Sequence, residues 1–72
     1  MKMKTVTITT EYITLGQILK LLNIISSGSE AKYFLSSHKV LVNDIEDERR
    51  GRKLYSGDVI TIENEKYQVK NK

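Results

Sequence analysis

Residues 4 to 9 alternate threonine with β-branched apolar side chains, so Val6 and Ile8 share one face of a short strand. From Leu15 the period lengthens. Leu15, Ile18, Leu19 and Leu22 recur at i, i+3, i+4 and i+7, the single buried face of a helix. Its start is marked by Thr14-Leu15-Gly16-Gln17. This is a capping box, in which Thr14 reaches forward to a free backbone N–H and Gln17 reaches back. Ile13 and Ile18 stand where a hydrophobic staple would hold that cap, and the helix is expected from Leu15 to Asn23. Ser27-Gly28-Ser29-Glu30 repeats the capping pattern, with Ser27 at the cap. Ala31, Phe34 and Leu35 then form the buried face of a second helix, ending near Ser37 or His38. Its other side carries Ser29, Lys32, Tyr33 and Ser36.

After the second helix the pattern becomes that of strands. Val40-Leu41-Val42 reads as a strand ended by the turn pair Asn43-Asp44. Residues 45 to 53 read as an extended or irregular crossing segment, and Leu54 to Asp58 as a turn. Val59 to Glu63 is the strongest strand; Asn64-Glu65 turns the chain and Lys66 to Lys70 returns as its hairpin partner. The N-terminal strand is free to add to an edge. The fold class is α+β, with two short packed helices against a small antiparallel sheet. With no proline, no repeat and four scattered glycines, nothing divides the chain, and residues 1–72 are expected to form a single domain.

Length narrows the functions available. A chain of 72 residues buries only about 60% of its unfolded surface, enough for one core but not for a core plus a deep substrate cavity. There is no cysteine, one histidine without a catalytic signature, no glycine-rich phosphate loop and no zinc-ligand spacing. Glu46, Asp47 and Glu48 stand side by side in an extended segment, which does not set up a facing pair of carboxylates. Neither enzyme activity nor a cofactor is expected. Met1-Lys2-Met3-Lys4 is basic, but the alternation after it is not the apolar run of a signal peptide. No stretch approaches a membrane span, and a short chain with no cysteine to staple it is expected inside the cell, in the cytoplasm.

Charge supplies the candidate chemistry. The net charge is +3, and Arg49-Arg50-Gly51-Arg52-Lys53 holds all three arginines of the chain. Arginine forks suit phosphate oxygens, and Gly51 allows close backbone approach. The competing reading is that this run only neutralises Asp44, Glu46, Asp47 and Glu48 just before it. Lys32 adds charge near the start of the second helix, whose free N–H groups can also hold phosphate. His38 and Lys39 lie at its other end, where they complement the negative end of the helix. Tyr33 and Tyr55 are candidates to stack on bases, the competing reading being that they are ordinary surface residues.

In this order the elements resemble the S-four RNA-binding domain, the alpha-L motif. The matching residues are Leu15-x-x-Ile18-Leu19, Ser27-x-Ser29-Glu30-Ala31-Lys32-x-x-Leu35, Lys39-Val40-x-Val42-Asn43 and Gly57-Asp58-x-Ile60, within a core of about residues 14–63. The short chain and the run from Arg49 to Leu54 look most like the small free-standing YaaA-like subfamily. The resemblance implies a bacterial, ribosome-associated, non-catalytic protein that binds structured RNA, with ribosomal RNA or an assembly intermediate as its target. It implies contacts from Lys32, Arg49, Arg50, Arg52 and Lys53 to phosphates, with Ser29 and Tyr33 fitting the RNA's shape. Many members have Arg-Leu-Asp where Thr14-Leu15-Gly16 stands and Arg where Gly28 stands, which shifts the expected charge onto the later arginine run. The alternative is a protein-interaction module, its arginines docked on a ribosomal or other acidic protein partner.

Overall fold

The computed structural model describes residues 3–72; Met1 and Lys2, the start of the basic N-terminal run, lie outside the described residues. The chain runs β1 (Lys4–Ile8), β2 (Tyr12–Thr14), α1 (Leu15–Leu21), α2 (Glu30–Ser37), β3 (Val40–Val42), β4 (Ile45–Glu46), β5 (Lys53–Tyr55), β6 (Val59–Ile62) and β7 (Glu65–Asn71). Five strands form one sheet in the order β1-β7-β6-β3-β4, and β2 pairs with β5 in a separate two-stranded ribbon. The fold is α+β, as its periodicities require.

The first hairpin turns where its residues predict, and the second turns at Glu63-Asn64, one residue before the expected Asn64-Glu65. Asn43 and Asp44 both have positive φ between β3 and β4, and Glu63 and Asn64 both do so between β6 and β7. Two-residue turns of that hand match the right-handed twist of the strands they join. β6 pairs antiparallel with β3 and β7, while β1 lies parallel to β7 at the edge, so the sheet is mixed rather than wholly antiparallel. Alternation carries through into packing: Val6, Ile8, Val40, Val42, Ile60, Ile62 and Val69 turn inward onto Leu15, Ile18, Leu19, Ala31 and Leu35.

Four local expectations are corrected. Helix α1 stops at Leu21, not Asn23, because Asn23 takes a left-handed φ of 60°. Its N–H donates to the Lys20 carbonyl and that of Ile24 to Leu19, a Schellman ending that satisfies the last carbonyls. Helix α2 has no capping box: Ser29 is its cap and offers no side-chain bond, while Glu30 accepts from the Ser26 N–H and hydroxyl instead. Phe34 is only partly buried, stacked at 4.2 Å on His38, whose own N–H closes the helix on the Phe34 carbonyl. Lastly, Leu54 belongs to β5 and is fully buried; the turn proper is Tyr55 to Asp58, where Gly57 has φ 98° and the Asp58 N–H donates to the Tyr55 carbonyl.

Candidate nucleic-acid interface

The arginine segment is stitched to the start of α1. A helix begins with N–H groups that lack intrahelical partners. Here the Leu15 N–H donates to the Arg52 carbonyl and the Gly16 N–H to the Arg50 carbonyl, each at 2.9 Å. Gln17 N–H is taken by the Thr14 hydroxyl, and the Gln17 side chain accepts from the Thr14 N–H, so the expected first capping box is present. Arg52 N–H closes a turn on the Arg49 carbonyl, placing Arg50 and Gly51 at its tip. The backbone of this basic loop is therefore held by the first turn of a helix that lies far before it in the chain.

Space for that approach comes from Gly16. A Cβ there would lie 3.3 Å from the Arg50 carbonyl oxygen and 3.5 Å from the Ala31 Cβ. The same position thus brings the basic loop and the first turn of α2 to one place. Thr14, Gly16, Gln17, Lys20, Gly28, Arg50 and Gly51 line an open groove of ≈ 380 Å³ there. A second open depression is walled by Arg49, Gly51, Arg52 and Lys53.

Of the four acids expected to neutralise the run, Asp47 alone pairs with it among the described residues. Asp47 is 8% exposed, and its N–H donates to the Val40 carbonyl at the end of β3. Its carboxylate accepts from the Arg49 N–H at 2.8 Å, from Arg49 Nε and Nη2 at 3.1 and 2.8 Å, and from Arg52 Nη1 at 3.1 Å. The Arg49 guanidinium, against the cost of burial, holds the Asp47 carboxyl down from 3.8 to about 2, helped by the Arg49 backbone N–H and by Arg52. One buried acid therefore restrains two arginines. Arg50 and Lys53 make no ion pair among the described residues, and the competing neutralisation reading accounts for half of the run.

On α2, Lys32 and Tyr33 are exposed, Tyr33 at 72%, and the Ser29 hydroxyl lies 3.0 Å from that of Ser27. The first N–H groups of the helix are less available than expected: Glu30 donates to the Ser27 carbonyl and Ala31 to Gly28. Lys32 directly follows Ala31, whose methyl would lie 3.5 Å from a Cβ placed at Gly16. The structure thus gathers the start of α2, α1 and the arginine loop on one side. Lys20 was not singled out by sequence reasoning. It stands one helical turn from Gln17, a spacing that reads as a solvated face until the fold sets it across from Gly28 and Arg50.

Two short helices packed on a small sheet thus carry a basic loop pinned to the entry of the first helix. The chain belongs to the S4 domain family, whose pattern matches residues 6–70. It is similar to the probable ribosome maturation protein RlbA of Bacillus subtilis (strain 168), with 66% identity over 58 residues that cover 81% of this chain and 82% of that protein.

Proposed function

We propose that this protein is a non-catalytic RNA-binding factor of ribosome maturation, a single domain of the cytoplasm that grips structured ribosomal RNA or an assembly intermediate containing it. Family membership and the relative's name support the role. The observation that carries it is the pinned loop, which presents Arg50 at the tip of a turn beside Lys20 and Gly28 without an internal counter-ion among the described residues.

In this mechanism Lys32, Arg49, Arg50, Arg52 and Lys53 contact phosphates and set the register, while Ser29 and Tyr33 on α2 fit the local shape of the RNA. Asp47 fixes Arg49 and Arg52 in advance, so less side-chain freedom is lost on binding. Log affinity for a ribosomal RNA fragment should fall linearly with log salt, with a slope reflecting roughly three to six phosphate contacts. Arg50→Ala and Lys32→Ala should each make that slope shallower by about one unit. A flat salt response overturns the reading. Salt-sensitive capture of an acidic ribosomal protein together with RNA indifference would replace it with the protein-docking alternative.

A further inference from the structure

The ribbon formed by β2 and β5 has two unlike faces. Ile13 and its partner Leu54 turn into the core, where Leu54 is fully buried. Tyr12 pairs with Tyr55 and Thr14 with Lys53, which puts these four on the outer face. The two rings lie 5.8 Å apart, tilted by 49°, and remain 38% and 43% exposed. Lys53 Nζ rests 4.9 Å from the centre of the Tyr12 ring. The backbone beneath is fixed: the Tyr55 N–H donates to Asp58 Oδ2 at 2.7 Å and the Thr10 hydroxyl to the Tyr12 carbonyl at 2.7 Å.

This face continues the basic surface. Thr14 lines the groove that holds Arg50, and Lys53 lines the depression walled by Arg49 and Arg52. Aromatic rings beside free cations match the two halves of a nucleotide, a planar base and a phosphate. In a duplex the base faces are covered by their neighbours, so only an unpaired nucleotide can use such rings.

We propose that the outer face of the β2–β5 ribbon is a second RNA-binding site, a stacking platform of Tyr12 and Tyr55 for unpaired nucleotides flanking the structured RNA, with Lys53 on their phosphate. The proposal rests on the RNA-binding reading above and adds single-stranded flanks to its target. Stacking of the base displaces the Lys53 ammonium from the Tyr12 ring and leaves it free for the adjoining phosphate. The competing explanation is that the pair merely stabilises the ribbon, as cross-strand aromatic pairs do.

The test uses a hairpin RNA of about 12 base pairs, with and without an unpaired adenosine tract of about six nucleotides, across several salt concentrations. The tract should strengthen binding of the parent protein by about tenfold, the order expected for stacking of one base. Tyr12→Phe and Tyr55→Phe should keep that gain, because the ring is what stacks. Tyr12→Leu and Tyr55→Leu, which keep apolar cover on the ribbon, should lose it while binding the blunt hairpin as the parent does. Thermal melts of each variant show that it is folded at the assay temperature. Equal affinity for the two hairpins, or a gain that survives both leucine variants, overturns the platform and leaves the salt-dependent blunt-hairpin binding standing. Absence of salt-dependent binding to either hairpin overturns the RNA-binding reading and the platform with it.

Discussion

Asp47→Asn isolates the one buried charge among the described residues. The carboxylate accepts four hydrogen bonds from Arg49 and Arg52 and is held down from 3.8 to about 2. A shift of that size corresponds to about 2 kcal/mol at neutral pH. Arg49, however, is 71% exposed at its side chain, and solvent screening trims the expected contribution to about 1–2 kcal/mol. The sign follows from linkage. Because the folded carboxyl is the stronger acid, its contribution is fully present above the unfolded value of 3.8 and is lost as pH falls through about 2. Asp47→Asn should therefore lower stability in urea by about 1–2 kcal/mol at pH 7, or melting by about 5–10 °C for a chain this size. The difference between parent and variant should shrink below pH 3.8 and vanish only once the pH is below about 2. Equal stability at pH 7 would refute the assigned clamp. A gap that stays constant down to pH 2 would show that the loss comes from packing and not from the charge.

Three other substitutions separate scaffold from surface. Gly16→Val adds atoms where even a Cβ would already be 3.3 Å from the Arg50 carbonyl; it should cost about 1–3 kcal/mol in a thermal melt and weaken RNA binding, since it moves the loop. Gly57→Ala forces a φ of 98° on a residue with a side chain; about 1–2 kcal/mol of stability should be lost with affinity for RNA intact, read by urea titration and by filter binding. Leu35→Ala, at 2% exposure, should cost about 2–5 kcal/mol, whereas Phe34→Ala, half-buried against His38, should cost about 1–2 kcal/mol in the same melts.

The order of residues was enough for the elements whose signals are local. The capping box at Thr14 and Gln17, the alternation at Val6 and Ile8 and the turn residues Asn43 and Asn64 act within a few positions, so reading neighbours is enough. It also placed positive charge in one segment, and the family resemblance followed from short motifs. Tertiary structure decided what depends on distant partners. Tyr12-Ile13-Thr14 reads as a lead-in to a helix, and only pairing with Lys53-Leu54-Tyr55, some forty residues away, makes it a strand with an aromatic outer face. Four acids precede the arginines and are equivalent along the chain. Ladder pairing with Val40 turns Asp47 inward, so it meets Arg49 and Arg52 while Glu46 and Glu48 stay in solvent. Lys20 joins Arg50 because Gly16 leaves room for the loop. Periodicity fixes which face a side chain takes on its own element; which other element lies across from it is set by packing, and no local pattern encodes that.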